Sequence, residues 1–210
     1  MPRAGHRRAS EDLARLDPVF AGLVAAHGPM RIAPPPPVAG RFEALAHSIA
    51  HQQLAGRAAA TIWGRLRASV DGPFTAEAVL GLDDATFAAA GLSRAKRAAL
   101  HDLALHVAEG RLRLDRMGHL PDDEVVAALS AVRGIGPWTA EMFLIFSLHR
   151  LDVWPVGDLG VRNGWGRAHG LASAPTPKEL ALLGERVRPC RSVAAWYCWR
   201  ACDAPVPVQT

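Results

Sequence analysis

Two short segments contain residues whose types and spacing could support chemistry. In the first, residues 129–140 with the sequence LSAVRGIGPWTA, Gly134 and Gly136 flank one apolar residue and Pro137 begins a new helix. Glycine permits the positive φ angles of a tight reversal, and the reversal leaves backbone N–H groups unpaired at a helix N-terminus, where an anion is favoured. The segment predicts either a phosphate-binding turn or a plain helical hairpin that needs glycine for its geometry alone.

The second segment places a carboxylate after an irregular stretch. Residues 151–162 carry Pro155 and Gly157, and Asp158 follows them immediately before a predicted helix. A carboxylate at this position caps the helix, which contributes about 1 kcal/mol. A capping carboxylate is also fixed in direction, and that suits an anion that stabilises developing positive charge. From the residues alone, both interpretations of Asp158 stand.

The remaining segments contain residues that typically begin and end helices. Asp17-Pro18 pairs a capping acid with a proline at the first helical position, and Gly28 closes that segment. Residues 176–179, Thr-Pro-Lys-Glu, form a capping box. Apolar residues recur at helical spacing elsewhere, whereas alternating apolar and polar stretches are short and scarce. The sequence therefore predicts an all-α fold.

Two breaks divide this helical chain. The four consecutive prolines of residues 34–37 cannot be helical and predict a semi-rigid connector, and residues 151–158 form a second irregular stretch. Chains divided in this way often form two helical lobes with both termini in one of them. We predict a central helical domain over residues 41–150, with the hairpin at about 122–149, and a second helical lobe formed by 1–40 and 151–210 that carries Asp158.

Composition excludes several classes of protein. Of the 210 residues, 50% are hydrophobic and 21% are charged, which is globular rather than disordered composition. No apolar stretch is long enough to span a membrane, and the basic N-terminus lacks the apolar segment of a secretory signal. Three cysteines do not make a disulfide framework, so we expect a reducing cytoplasm. The formal net charge of +4 is compatible with an anionic partner.

Taken together, the two segments resemble those of a known family. The run GIGPWTA at residues 134–140, followed about 20 residues later by PVGD at 155–158, is similar to the helix-hairpin-helix DNA glycosylase superfamily. Within it, the sequence resembles most the bacterial 3-methyladenine DNA glycosylase II (AlkA) branch. HSIAHQQL at residues 47–54 is similar to the early helix pair of that branch, and PCRS at 189–192 with Trp199 is similar to its C-terminal helix.

The resemblance covers roughly residues 17–203 and implies both a fold and a reaction. The implied fold is two helical lobes with the active site in the cleft between them. The implied protein is a monofunctional DNA glycosylase of base excision repair. It flips alkylated bases such as 3-methyladenine and 7-methylguanine out of double-stranded DNA and releases them by hydrolysis. Asp158 matches the catalytic aspartate, which stabilises the oxocarbenium-like sugar and assists the attacking water.

The resemblance also assigns roles to the hairpin. Gly134, Gly136 and Thr139 match the residues that anchor a DNA phosphate in the family. Arg133 replaces a proline that is common before the hairpin, which adds a positive charge near that phosphate. Relatives hold a monovalent cation, Na⁺ or K⁺, beneath the hairpin, and the matching backbone carbonyls are those of Ser130, Val132 and Ile135.

Further positions match the base pocket and the wedge of the family. Trp138, Met142 and Trp199 fall at pocket positions, and Met142 stands where the branch often has an aromatic residue. An aromatic face attracts a cationic alkylated purine by about 0.5–2 kcal/mol. Gln53 and Leu54 fall where the family inserts a wedge into the gap left by the flipped nucleotide; the alternative for Gln53 is a polar residue that ends an exposed helix. Supporting or phosphate contacts are expected from Arg162, Arg191 and Ser192.

This sequence lacks residues that give other relatives a lyase activity or an iron–sulfur cluster. Relatives that cut the DNA strand use a lysine of the hairpin as a Schiff-base nucleophile, and Trp138 occupies that position, so we expect no AP-lyase activity. The three cysteines, Cys190, Cys198 and Cys202, cannot supply the four ligands of an iron–sulfur cluster. We therefore expect no required cofactor. The expected protein is a monomer that binds double-stranded DNA with alkylated bases and no membrane, in the cytoplasm of a bacterium and associated with the nucleoid.

Two other classes of function are compatible with the sequence. A helix-hairpin-helix module that binds the DNA backbone without catalysis would have no use for a carboxylate that faces its polyanionic ligand. A helical scaffold unrelated to DNA would show no salt-dependent DNA affinity. The role of Asp158 therefore discriminates between the enzyme and the binding module.

Overall fold

The computed structural model describes residues 4–52 and 56–203, and these residues form twelve α-helices and no strand. The all-α prediction is confirmed. No described helix is long and apolar enough to cross a membrane. The helices are α1 (Ala4–Leu16), α2 (Pro18–His27), α3 (Arg41–His51), α4 (Gly56–Ala68), α5 (Ala76–Leu80), α6 (Asp84–Ala90), α7 (Arg94–Ala108), α8 (Asp122–Ser130), α9 (Pro137–Phe146), α10 (Leu159–Ala168), α11 (Pro177–Leu183) and α12 (Arg191–Asp203).

The chain divides into two compact units. The central unit comprises residues 35–148, and the terminal unit comprises residues 1–34 together with 149–210. The two boundaries thus follow residues 34 and 148, where the sequence interpretation placed them after residues 40 and 150. The first boundary falls inside the proline run and the second falls just after α9.

Local capping starts the helices where the sequence indicates. The Asp17 carboxylate accepts the Val19 N–H at 2.9 Å and begins α2, which Gly28 ends with a φ of 69°. At α11 the capping box is present: Glu179 N–H donates to the Thr176 hydroxyl, and the Glu179 carboxylate accepts the Thr176 N–H at 2.7 Å. Each bond satisfies an N–H group that the helix leaves without an internal partner.

The core of the central unit is built around α3 and α7. Helix α3 buries Phe42, Leu45 and Ile49 and packs against α4, α7 and α9. Helix α7 buries Leu100 and Leu103 and also packs against α5, while α8 packs against α9. The hairpin formed by α8 and α9 is therefore fixed to the rest of the central unit by burial of apolar side chains.

The core of the terminal unit is the crossing of α10 and α12. A Cβ atom built on Gly164 would lie 1.9 Å from the Cys198 carbonyl oxygen, so the two helix backbones touch at this glycine. Trp165 and Tyr197 are almost fully buried near the crossing, and the Tyr197 hydroxyl donates to the Gly28 carbonyl at 2.8 Å. The last helix thereby binds the first helices of the chain.

The cysteines contribute to this packing. Cys190 and Cys198 are buried, and Cys202 is partly buried with its Sγ 3.4 Å from the Gly160 carbonyl oxygen. Burial raises the pKa of the Cys198 thiol well above its ordinary value, and burial together with Asp12 and Asp152 raises the pKa of Cys190. These thiols therefore stay protonated at neutral pH.

The backbone contact at Gly164 gives a test of the fold. Gly164→Ala should lower the free energy of unfolding by about 1–3 kcal/mol, because α10 and α12 must separate to admit the methyl group. Gly22→Ala is the matched control, since Gly22 is an exposed helical glycine with open space around its Cβ position. The control should gain up to about 1 kcal/mol from helix propensity. Urea denaturation of both variants measures the difference, and equal stabilities would contradict the crossing.

Candidate functional site

The hairpin turn lies between the end of α8 at Ser130 and the start of α9 at Pro137. Gly134 has a φ of 79°, and a Cβ atom at this position would lie 2.8 Å from the Ala99 Cβ of α7. Gly136 has a φ of −93°, and no atom lies within 4 Å of its Cβ position. Only Gly134 therefore needs glycine for its conformation, and the expectation that both glycines serve the reversal is wrong for Gly136.

The open turn presents backbone donors to solvent. Gly134 and Gly136 are exposed, and neither N–H donates to an acceptor among the described residues. The Gly136 N–H lies at the cap position of α9, where the partial positive charge of the helix N-terminus adds to it. The missing side chain at Gly136 leaves room for a ligand to approach the backbone. The arrangement suits an anion such as a phosphate.

Two polar side chains from distant positions hold the turn. The Asp102 carboxylate of α7 accepts the Arg133 N–H at 2.8 Å. The Gln52 amide donates to the Gly134 carbonyl at 3.0 Å and to the Thr139 hydroxyl at 3.3 Å. Thr139 is only 5% exposed, so its hydroxyl faces Gln52 inside the central unit. The sequence analysis missed Gln52 and Asp102; the run that contains Gln53 also contains Gln52, whereas no local signal marks Asp102.

A cavity of about 490 Å³ opens beside this turn in the central unit. It brings together two of the three predicted pocket residues, Trp138 and Met142. Trp138 is 47% exposed, which is unusual for an indole. The third predicted pocket residue, Trp199, lies in the terminal unit. The remaining lining residues are His47, Ser48, His51, Gln52 and Thr139.

Two stacked histidines form part of the cavity lining, a feature to which the sequence analysis gave no role. The rings of His47 and His51 lie 3.8 Å apart between centroids at an angle of 27°. The His51 ring nitrogen Nδ1 lies 2.9 Å from the His47 carbonyl oxygen. Partial burial and the neighbouring His51 lower the pKa of His47, although Glu43 opposes this shift. The lowered pKa favours the uncharged form of the His47 imidazole at neutral pH.

Asp158 caps α10 in the terminal unit and is 9% exposed. Its Oδ1 atom accepts the Val161 N–H at 2.7 Å and the Trp199 indole N–H at 3.0 Å. A Cβ atom on Gly160 would lie 2.9 Å from the Trp199 ring, so glycine is required for the indole to reach the carboxylate. The predicted cap is confirmed, and Trp199 is a residue that orients Asp158.

The loop before Asp158 is tied to the start of α12. Arg191 forms two hydrogen bonds with the Asp152 carboxylate, at 2.8 and 2.9 Å, and the buried Ser192 hydroxyl accepts the Val153 N–H at 2.9 Å. The Arg162 guanidinium donates to the Pro175 carbonyl at 2.7 Å. All three residues, expected as supporting or phosphate contacts, are held in internal bonds, and those of Arg191 and Ser192 support the loop before Asp158.

The remaining predicted site residues are those of the wedge and of the cation site. Gln53 and Leu54, the predicted wedge, lie outside the described residues. At the end of α8 the Ser130 Oγ is buried without a hydrogen-bond partner, and the Val132 carbonyl accepts the Ile135 N–H at 3.1 Å. Across residues 4–52 and 56–203, no three His, Cys, Asp or Glu side chains are grouped to hold a metal ion.

The two helices and the open turn between them define a helix-hairpin-helix protein, and comparisons with known proteins agree. A family model described as the HhH-GPD superfamily base excision DNA repair protein matches residues 46–189. DNA-3-methyladenine glycosylase 1 of Schizosaccharomyces pombe is 36% identical over 162 residues, which cover 76% of this chain and 71% of the relative. The alkylbase DNA glycosidase-like protein mag2 of the same yeast is 29% identical over 93% of each chain.

Solved structures give the same result. The structure of the Schizosaccharomyces pombe 3-methyladenine DNA glycosylase Mag1 in complex with abasic DNA matches with a TM-score of 0.86 and 32% identity, over 96% of this chain and 100% of that one. A DNA-3-methyladenine glycosidase from Bacillus halodurans matches with a TM-score of 0.81 and 32% identity, over 92% and 88% of the two chains. The chain belongs to the HhH-GPD superfamily of base excision DNA repair proteins.

The unequal roles of the two turn glycines can be measured. Gly134→Ala should lower the free energy of unfolding by about 1–2 kcal/mol or more, because the residue is left-handed and its methyl group meets Ala99. Gly136→Ala should change stability by less than about 0.5 kcal/mol, since its φ suits any residue and the space is open. Thermal unfolding of both variants checks the difference; a Gly136→Ala protein as unstable as Gly134→Ala would refute it.

Proposed function

We propose that this chain is a monofunctional DNA glycosylase of the 3-methyladenine DNA glycosylase II type, which hydrolyses the N-glycosidic bond of alkylated bases in double-stranded DNA. The observation that carries the proposal is Asp158, a nearly buried carboxylate that two N–H donors hold in one direction. The names of the relatives support it, because they are 3-methyladenine glycosylases from yeast and Bacillus. A helix cap alone would not need an indole to orient it.

The proposed chemistry is charge stabilisation. Release of an alkylated purine leaves oxocarbenium-like charge on the deoxyribose, and a fixed carboxylate stabilises this charge more than it stabilises the neutral sugar. The bonds from Val161 and Trp199 engage Oδ1, so the carboxylate needs no reorganisation as the charge develops. Water then adds to the sugar carbon from which the base departed, with Asp158 directing its approach. Because alkylated purines such as 3-methyladenine are already cationic, they leave without strong acid catalysis.

The cavity of the central unit is proposed to receive the flipped base. Trp138 offers an exposed aromatic face, and a cation–π contact with a cationic purine contributes about 0.5–2 kcal/mol. Met142 lines the same cavity with a polarizable thioether in place of a second aromatic ring. Trp199, expected in this pocket, is assigned instead to orienting Asp158, because its indole N–H donates to that carboxylate.

Duplex DNA is the proposed partner of the hairpin, and the proposed protein acts as a monomer. The N–H groups of Gly134 and Gly136 would donate to a backbone phosphate, which fixes register without reading sequence. In this proposal Thr139, which is 5% exposed, supports the turn through its contact with Gln52. Gln53 or Leu54 would fill the gap left by the flipped nucleotide. A protein that repairs DNA works at the nucleoid, so the proposal includes a cytoplasmic, nucleoid-associated location.

A monovalent cation is proposed to support the hairpin. The Ser130 hydroxyl oxygen, buried without a partner, fits such an ion because a cation would satisfy an otherwise costly group. Ser130, Val132 and Ile135 would hold Na⁺ or K⁺ through their backbone carbonyl oxygens. The ion would supply positive charge beneath the turn and strengthen its attraction for phosphate. No redox or group-transfer cofactor is part of the proposal.

The central test is Asp158→Asn. The variant should keep its fold and its affinity for duplex DNA but lose about 10²–10³-fold or more in the single-turnover rate of base release from methylated DNA, because the negative charge is removed. The cap survives at a cost of a few tenths to about 1 kcal/mol, since asparagine also caps helices.

Asp83→Asn is the matched control for this test. Asp83 caps α6 in the same way, with its Oδ1 accepting the Thr86 N–H at 2.7 Å, and it lies in the central unit. The control should lose a similar amount of stability with excision unchanged. Wild-type excision by a folded Asp158→Asn protein would refute the mechanism. If the unmodified protein releases no base yet binds duplexes, the alternative of a non-catalytic DNA-binding module is correct.

The absence of strand cleavage is tested separately. Trp138 replaces the lysine that lyases use, so no imine should form with the abasic sugar. Borohydride treatment during turnover should therefore yield no covalent protein–DNA complex, while base release proceeds. Trp138→Lys provides the comparison, and its trapping would show that the assay can detect an imine at this position. A trapped complex with the unmodified protein would contradict the monofunctional assignment.

A further inference from the structure

A second cavity, of about 730 Å³, lies in the central unit on the α7 side of the hairpin turn. It is separate from the cavity of Trp138 and Met142, with no lining residue in common. Its polar lining residues contain three guanidinium groups, one imidazole and two carboxylates: Arg94, Arg97, Arg133, His101, Asp84 and Asp102. We call Arg94, Arg97 and Arg133 the arginine cluster.

The position of this cluster opposes helix electrostatics. Arg94 and Arg97 lie in the first turn of α7, which contains no acidic residue. The N-terminus of a helix carries partial positive charge, so cations there are unfavourable. The first turn of α8, by contrast, carries three acidic residues, Asp122, Asp123 and Glu124. A helix that departs from the electrostatic preference indicates a function for the charges.

The carboxylates of the cavity do not neutralise the arginines. Asp84 is 94% exposed, and its Oδ1 lies 3.5 Å from an Arg97 Nη1, a long and solvent-screened contact. The Arg97 Nε is buried and has no hydrogen-bond partner. Asp102 is engaged with the Arg133 backbone N–H at 2.8 Å. The side chains of Arg94 and Arg133 form no ion pair with other described residues.

The cavity is continuous with the phosphate-binding turn. Arg133 belongs to both, since it lines the cavity and directly precedes Gly134. On α7, Ala98 lines the cavity and Ala99 touches the turn at Gly134. A strand whose phosphate is held by the Gly134 and Gly136 N–H groups would therefore have the arginine cluster beside it.

We infer that the arginine cluster is a second backbone-binding site, which holds another phosphate of the DNA strand anchored by the hairpin turn. This inference rests on the proposed binding of duplex DNA. One planar guanidinium group can donate two parallel N–H bonds to phosphate oxygens. The negative charge of the phosphate would also offset the unfavourable positive charge at the start of α7. The site contacts backbone only, so it contributes affinity for damaged and undamaged DNA alike.

The test measures the salt dependence of binding to an undamaged duplex. Each phosphate that the protein no longer neutralises reduces the slope of log K against log salt concentration by about 0.9. The double variant Arg94→Gln/Arg97→Gln should reduce the slope by about 1, the share of one phosphate, and the single variant Arg94→Gln, at an exposed position, should reduce it by up to about 1 with the fold intact.

The matched control is Arg65→Gln/Arg116→Gln. Both residues are exposed, belong to the central unit and lie outside the cavity, so the control removes the same net charge. Its slope should stay near that of the unmodified protein. A methylphosphonate scan of the duplex should identify a linkage whose neutralisation weakens the unmodified protein but not the Arg94→Gln/Arg97→Gln variant.

The outcomes separate this inference from the proposed function. If the unmodified protein binds and excises but the cluster variants match the control in slope, the inference is refuted and the function stands. If inorganic phosphate raises the melting temperature through the cluster while the duplex slope is unaffected, the cavity binds a small anion and the inference is also refuted. A protein that binds no duplex at all would overturn both.

Discussion

The structure of the central unit depends on the close approach of the hairpin turn to α7. Gly134 meets Ala99 with no room for a methyl group, and this contact is possible only because glycine tolerates a φ of 79°. Asp102 and Gln52, which lie 31 and 82 positions before their partners in the turn, then fix its backbone by hydrogen bonds. The N–H groups of Gly134 and Gly136 are therefore held in place before a ligand binds. Binding then costs little conformational entropy of the turn.

In the terminal unit, glycine residues likewise allow a close approach, which here positions the Asp158 carboxylate. Gly160 leaves space for the Trp199 ring, the ring donates to Asp158, and Gly164 lets α10 approach α12 closely enough for that bond. The loop before Asp158 is tied to α12 by Arg191. In both units glycine determines how near two elements come, and a polar side chain then fixes the functional group. Both arrangements are stabilised mainly by the burial of apolar side chains in the two cores, because a single hydrogen bond contributes only about 1 kcal/mol.

The sequence predicts local features well and distant contacts poorly. The caps at Asp17, Thr176 and Asp158 follow from residues two or three positions apart, so a short window contains the whole interaction. The bonds from Gln52 to the turn and from Trp199 to Asp158 join residues separated by 82 and 41 positions, and no periodicity connects them. The resemblance supplied the positions of the hairpin and of Asp158. It did not reveal that Gly136 is conformationally unconstrained or that Trp199 orients the carboxylate.

The buried cysteines have a chemical consequence under the proposed activity on alkylated bases. Electrophiles that methylate purines also attack sulfur, and they react with the thiolate far faster than with the thiol. Cys190 and Cys198 are buried and their pKa values are raised, so they offer neither access nor nucleophilic charge to such reagents. Burial and protonation thus protect these two side chains from the reagents that create such lesions. Resistance to self-inactivation is a by-product of tight helix packing around α12.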